Sequence, residues 1–151
     1  MIQKSLYDKE VYTACINRIE KLTEQTTPIW GKMSSAQMMA HCAAVQEVMN
    51  GTPLAGTPFY IHALKSIIRK AVLSRAPYPK NSKTHPQYIQ AEQKDFETEK
   101  AHLLKTLESA LYLQESQSGS TPHPLFGNLT RQEAGWAAYK HLEHHLTQFG
   151  V

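Results

Sequence analysis

The sequence has few cysteines, no long apolar run and no strong excess of charge of either sign. Its two cysteines, Cys15 and Cys42, are too few for a disulfide framework, so stability must come from an apolar core. No stretch of about 18 apolar residues is present, and the N-terminal residues lack the apolar segment of a signal peptide. We therefore expect a cytoplasmic protein without a role in a membrane.

The charge pattern argues against a nucleic-acid partner. The net charge of +3 is mild, basic residues are not interleaved with stacking aromatics, and no groove-reading motif is present. No acidic residue lies between Glu47 and Glu92, whereas that stretch contains Lys65, Arg69, Lys70, Arg75, Lys80 and Lys83. This bias predicts a positive field that attracts an anionic small-molecule substrate. Two alternatives remain open: a solvated helix face, or a surface that touches a membrane or a partner.

Helical periodicity dominates the chain, whose length of 151 residues predicts one domain over residues 1–151. The patterns predict helices over about residues 8–25, 34–49, 60–74, 88–113 and 130–149. Capping-box patterns mark two of the helix starts, at Ser34 and at Thr130. Proline- and glycine-rich connectors separate the helices, and no strand pattern is evident. The sequence therefore predicts an all-α fold, an antiparallel four-helix bundle with one additional short helix and long connectors.

Eight histidines are the most unusual feature of the composition. The last helix contains KHLEHHLTQFG, in which His141 and His145 are four positions apart and therefore lie on the same helix face. Two imidazoles one turn apart on a helix can bind a single metal ion. His144 points away from this face, so we expect it beside the site or on the surface.

His41 is the third candidate ligand, in the second helix among Met38 and Cys42. A buried imidazole needs a hydrogen-bond partner or a metal, because leaving it unsatisfied costs about 1–3 kcal/mol. Bundle cores build metal sites from facing helices, so we predict that His41, His141 and His145 bind one divalent metal ion. Two alternatives remain: the imidazoles are satisfied by hydrogen bonds alone, or Cys42, about 100° around the helix from His41, is a ligand.

The remaining histidines and the nearest carboxylates are not assigned to the site. Four histidines fall on predicted surfaces or beside prolines and are expected to be solvated or structural: His62, His85, His102 and His123. Neither Glu47 nor Glu143 is expected to point toward the predicted ligands, so no catalytic residue is assigned. Three classes of function stay open: a metal-dependent enzyme, a protein that binds metal only for stability, and a metal-free structural or interaction domain.

Two motifs resemble a known family: WGKMSSAQMMAHC, and the C-terminal HPLFGNLTRQEAGWAAYKHLEHHLTQFG. They are similar to the DinB/YfiT-like superfamily and, within it, to a bacterial group that ends in a His-Leu-x-His-His-Leu-x-Gln-Phe-Gly helix. The resemblance covers nearly the whole chain. It implies a four-helix bundle in which one histidine of the second helix and two of the last bind nickel or zinc. Those positions match His41, His141 and His145.

The same resemblance also suggests a reaction class. Several superfamily members are thiol-dependent S-transferases or isomerases that use a low-molecular-weight thiol, others are described as metal-dependent hydrolases, and many have no assigned reaction. It therefore implies a transferase or hydrolase with a small-molecule substrate. A low-molecular-weight thiol is the candidate second cofactor, and a homodimer is the candidate assembly.

Overall fold

A computed structural model describes residues 1–116 and 119–151 of the chain. It is mostly helical, with α1 (Lys9–Ile19), α2 (Ser35–Met49), α3 (Phe59–Ala63), α4 (Lys65–Leu73), α5 (Phe96–Ser116) and α6 (Arg131–Gln148). A 3₁₀ turn, Pro86–Tyr88, precedes α5, and a two-stranded antiparallel sheet, β1 (Thr121–His123) and β2 (Gly127–Leu129), precedes α6. No helix in the described part of the chain is both long and apolar enough to cross a membrane.

Helix α2 lies at the centre of the core. It packs against both α5 and α6, and α1 packs against α6. These four helices share one apolar core that includes Ile19, Met38, Met39, Ala43, Leu103, Leu107, Trp136, Leu142 and Leu146. Burying one such large side chain contributes about 1.5–3 kcal/mol to stability. Because α2 and α6, which carry the predicted ligands, both belong to this core, their backbones are held in a fixed relation.

Both predicted capping boxes are confirmed. The Ser34 hydroxyl accepts the backbone N–H of Gln37, and the Gln37 side chain accepts the backbone N–H of Ser34. Thr130 and Glu133 make the same reciprocal pair at the start of α6. Each box satisfies N–H groups that a helix start leaves without partners. The starts of α2 and α6, and hence the faces on which their histidines fall, were therefore readable from the sequence.

The predicted single helix over residues 60–74 is wrong. The structure has two helices there, because the chain leaves helical geometry at Leu64, with φ −97° and ψ 3°.

Two other helix boundaries also differ from the prediction. Helix α1 ends at Ile19, and the residues after it form a turn in which the Thr26 hydroxyl accepts the backbone N–H of Thr23. Helix α5 starts later than predicted, where Asp95 Oδ1 accepts the N–H of Thr98.

The connector before α6 contains a β-hairpin, so the fold is mostly helical with a small sheet rather than all-α. His123 is paired with Gly127 in the hairpin, and Gly127 has a φ of 70°. The His123 Nδ1 accepts the backbone N–H groups of Leu125 and Phe126, which closes the turn. Prolines on both sides of His123 hide the strand pattern in the sequence, since proline is uncommon in strands.

Helix α4 is fastened to α6 by polar side chains. Lys140 is 1% exposed, and its Nζ donates to the carbonyl oxygens of Ala71 and Ser74 at 2.8 and 2.9 Å. The Trp136 Nε1–H donates to the carbonyl of Leu73 at 3.2 Å. These carbonyls are at the C-terminal end of α4, where helical acceptors lack internal partners and where a cation is favoured. The hydrogen bonds from Lys140 and Trp136 therefore hold the C-terminal end of α4 against α6.

Candidate metal centre

His41 is oriented by the 3₁₀ turn. It lies within α2, is 5% exposed, and its Nδ1 is 2.8 Å from the carbonyl oxygen of Tyr88. A carbonyl can only accept, so Nδ1 carries the proton and Nε2 keeps its lone pair. The unprotonated nitrogen of His41 therefore faces α6, where it meets His141.

His145 is oriented by a chain of two hydrogen bonds. Its Nδ1–H donates to Gln148 Oε1 at 2.8 Å, and Gln148 Nε2 donates to the carbonyl of Trp30 at 2.7 Å. The second bond fixes which end of the amide faces the imidazole, so Nε2 of His145 is also unprotonated. Gly31, at φ +86°, leaves room for this amide, because a Cβ at that position would lie 2.6 Å from Gln148 Nε2.

His141 completes the cluster of three histidines. Its Nε2 is 3.1 Å from the Nε2 of His41, and its ring centroid is 4.8 Å from that of His145. One nitrogen from each of the three side chains lies within 4.8 Å of the others. The structure thus brings together all three histidines that the sequence singled out, although 100 positions separate His41 from His141.

The geometry of the cluster fits a divalent metal ion. Metal–imidazole bonds are about 2.0–2.1 Å long, so two nitrogens on one ion lie at most about 4.2 Å apart. The pair from His41 and His141 already meets that limit. All three nitrogens lie within 4.8 Å of one another, so the largest separation exceeds that limit by at most about 0.6 Å. The Nδ1–H bonds of His41 and His145 are of the kind that orient metal-binding histidines in known sites.

Burial keeps these imidazoles neutral. Burial lowers the pKa of His41 below its usual 6.5, and the hydrogen bond to the Tyr88 carbonyl partly offsets this shift. Burial, followed by the nearby His145 and His41, lowers the pKa of His141 well below 6.5. Burial, followed by His41, lowers the pKa of His145 to about 3. Neutral imidazole is the form that binds metal, so the site is ready to do so at neutral pH.

Cys42 and His144 are neighbours of the cluster rather than members of it. Within the described residues, the cluster consists of the three histidines alone. Cys42 is 3% exposed and its Sγ contacts Met38 Sδ at 3.7 Å, while burial strongly raises the pKa of its thiol. A thiolate ligand at this position is therefore disfavoured. His144 packs against Trp30 and Tyr78, with ring centroids 5.7 and 5.8 Å away.

The two carboxylates considered from the sequence are engaged elsewhere. Glu47 Oε1 lies 2.6 Å from His102 Nε2, and Glu143 pairs with Arg18 and accepts a hydrogen bond from Tyr139. Neither glutamate belongs to the cluster. Among the described residues, no aspartate or glutamate lines the cavity beside the histidines.

Two of the other histidines, those beside prolines, are buried rather than solvated. His85 is 6% exposed and His123 is 5% exposed, and both bond to neighbouring backbone N–H groups. The loops that contain these residues turn them inward, which local hydrophobicity does not reveal. His62 is exposed, as predicted, and His102 is partly exposed beside Glu47.

A cavity of about 670 Å³ opens beside the cluster, and all three histidines line it. Its other walls are mainly apolar. The basic stretch contributes to it in part, because Lys83 lines the cavity and Lys80 lies 4.6 Å from the ring centroid of Trp30. Arg69 instead pairs with Glu133 at 2.9 Å and donates to the hairpin backbone. The stretch therefore combines a basic cavity rim with structural contacts.

Sequence reasoning missed the groups that hold the histidines. Gln148, Gly31 and the Tyr88 carbonyl were not singled out. For Gln148 a signal existed, because it follows His145 by three positions on the same helix and is therefore within reach of its side chain. Contacts with the other two depend on how distant loops return to α6, which no local pattern encodes.

A model of one protein family, described as "Protein of unknown function (DUF1569)", matches residues 1–150 of the chain. A comparison with curated proteins found no match, and neither did a comparison with solved structures.

Proposed function

The chain belongs to the DUF1569 family, whose description assigns no function, and we propose from the site that it is a metal-dependent enzyme. One observation carries the proposal. His41 and His145 keep their Nε2 lone pairs because other groups hold their Nδ1–H, and the Nε2 of His141 lies 3.1 Å from that of His41. Three neutral imidazoles beside a cavity are typical of a catalytic site rather than a closed structural one.

The proposed cofactor is one divalent ion, nickel or zinc, held by His41, His141 and His145. With an open position, such an ion lowers the pKa of a water or thiol bound to it and so supplies a nucleophile at neutral pH. The chain's own task is to hold and orient the imidazoles, through Tyr88 and Gln148, and to surround them with apolar walls that limit water. The described cavity residues provide no carboxylate that could serve as a general base.

The proposed reaction is transfer of a low-molecular-weight thiol or hydrolysis of a small substrate. The resemblance to the DinB/YfiT-like superfamily supports this, as do the positions of the three histidines on α2 and α6. We extend the same proposal to a four-helix arrangement of α1, α2, α5 and α6 and to a homodimer. The lysines at the cavity rim, Lys32 and Lys83, favour an anionic substrate.

The test is a comparison of metal-loaded and metal-free protein. Tag-free protein is loaded with zinc or nickel and assayed for thiol transfer to an electrophile and for ester hydrolysis, before and after removal of the metal by a chelator. The proposal predicts loss of activity on chelation and recovery on reloading, while the helical circular dichroism signal persists. A large fall in melting temperature, with no activity in any state, would instead identify a metal that only stabilises the fold.

A further inference from the structure

His123 lies far from the metal cluster in the sequence but lines the same cavity. It sits at the end of β1, which packs against α2, and only 5% of it is exposed. Its ring stacks on that of Phe126, with centroids 3.9 Å apart and planes 5° from parallel. The imidazole is therefore held in one position by the hairpin rather than free to turn.

The hairpin also fixes where the proton of this imidazole lies. Nδ1 accepts the backbone N–H of Leu125 at 3.1 Å and that of Phe126 at 3.3 Å, so it must be unprotonated. Burial lowers the pKa of His123 to about 4, which keeps the ring neutral at pH 7. The single proton of the neutral ring is then on Nε2. Among the described residues, nothing accepts a hydrogen bond from that Nε2–H.

Within the described residues, Trp30 Nε1 alone is a fully buried side-chain N or O atom without a hydrogen-bond partner, so His123 Nε2 stays accessible to a ligand. The cavity lining contains His123 together with apolar side chains, among them Ile61, Ile68, Leu103, Leu107 and Leu125. A cavity of about 670 Å³ is within the range that holds a drug-sized molecule. Mainly apolar walls with a donor fixed at His123 favour a largely apolar ligand that presents an acceptor atom to that donor.

We propose that the Nε2–H of His123 is the hydrogen-bond donor of a ligand site for a largely apolar molecule that bears a carbonyl oxygen. The ligand occupies the space between the hairpin and the histidine cluster, so a metal-binding group at its other end reaches the ion. Only the contact between the ligand and the ion rests on the proposed function. The apolar walls and the His123 donor are present without a metal, so the ligand site is testable in metal-free protein.

The experiment uses a matched pair of probes that differ only at the carbonyl, benzylacetone and butylbenzene. Binding of each to chelator-treated protein is measured by ligand-detected NMR for the wild type, for His123→Asn and for His62→Asn. The asparagine amide oxygen can accept the turn N–H groups in place of Nδ1, but it leaves no donor at the Nε2 position. His62 is exposed and outside the cavity lining, so His62→Asn is the control for the same change.

Relative to butylbenzene, the ketone should bind His123→Asn roughly 3–10-fold more weakly than it binds the wild type or His62→Asn, the worth of one net hydrogen bond. Butylbenzene itself should bind all three proteins equally, which shows that the cavity is intact. No binding of either probe to the wild type, or a ketone-to-hydrocarbon affinity ratio that is unchanged in His123→Asn, would overturn the inference. Zinc titration of the same samples tests the metal site separately. A ketone affinity that depends on His123, without zinc binding, would therefore contradict the proposed function alone.

Discussion

The Nε2 atoms of His41 and His141 lie 3.1 Å apart across the interface of α2 and α6. Because the Nδ1–H of His41 is donated to Tyr88, its Nε2 must be the acceptor, and His141 supplies the proton in the metal-free protein. To hold a metal ion through Nε2, His141 would carry its proton on Nδ1 instead, the tautomer that leaves the Nε2 lone pair free. Because the two nitrogens already lie close together, this change of tautomer needs little movement of the rings.

The hydrogen bond from His145 to Gln148 should set the strength of metal binding. Replacing Gln148 with leucine removes the acceptor of the Nδ1–H and frees the imidazole to change its tautomer or rotate. We expect zinc affinity to fall by about 10–100-fold, as is usual when such orienting groups are lost. The measurement is competition with a chromophoric chelator at fixed pH. Gln132→Leu, on the exposed face of the same helix, should retain wild-type affinity.

Gly31 should be required for the same arrangement. In Gly31→Ala the new methyl group would be 2.6 Å from Gln148 Nε2, so the amide must leave its bond to Trp30. Zinc affinity should fall, in addition to a loss of about 1–2 kcal/mol from backbone strain at positive φ. Gly56→Ala is a matched control, since φ is +66° there and nothing lies within 4 Å of the added Cβ. If both variants lose stability but neither loses zinc affinity, the role assigned to Gly31 is wrong.

Lys140 should stabilise the protein by fastening α4. In Lys140→Met the carbonyls of Ala71 and Ser74 lose their donor, and we expect a loss of about 1–3 kcal/mol in the free energy of unfolding by urea. Amide exchange in α4 should accelerate more than in α5. Lys105→Met, at an exposed position of α5, should change neither quantity. Equal stability of the two variants would show that α4 is held by apolar packing alone.

His123 should contribute to the pH dependence of stability. Its folded pKa of about 4 is below its usual 6.5, so the unfolded chain takes up a proton that the folded protein refuses. Stability is therefore unaffected by this group above pH 6.5, and decreases as the pH falls from 6.5 to about 4. Urea unfolding of His123→Asn should show a weaker decrease over that range than the wild type or His62→Asn. An unchanged pH profile in His123→Asn would contradict the buried neutral state.

The sequence was sufficient for the features that depend on local patterns. The two capping boxes fix where α2 and α6 begin, and the spacing of four between His141 and His145 places them on one face. His41 could be added because its neighbours along α2 are apolar. These local signals are sufficient to identify the members of the cluster, and metal binding by it stays a prediction.

The features that sequence reasoning missed depend on contacts between distant segments. The hairpin was hidden by the prolines beside His123, and the break at Leu64 has no glycine or proline to mark it. The burial of His123 follows from the packing of that hairpin on α2. The orienting bonds of Gln148 depend on the position of Trp30, 118 residues away in the chain. Contacts between distant segments produce no periodic pattern in the sequence, so they cannot be predicted from it.

The metal content of tag-free protein is the most direct test of the central claim. The protein, and the variants His41→Ala, His141→Ala, His145→Ala and His62→Ala, are each equilibrated with a small excess of zinc or nickel, dialysed, and analysed for metal. We predict close to one ion per chain for the wild type and His62→Ala, and almost none for the three cluster variants that remain folded by circular dichroism. A wild type that retains no metal, or cluster variants that retain as much as His62→Ala, would contradict the account.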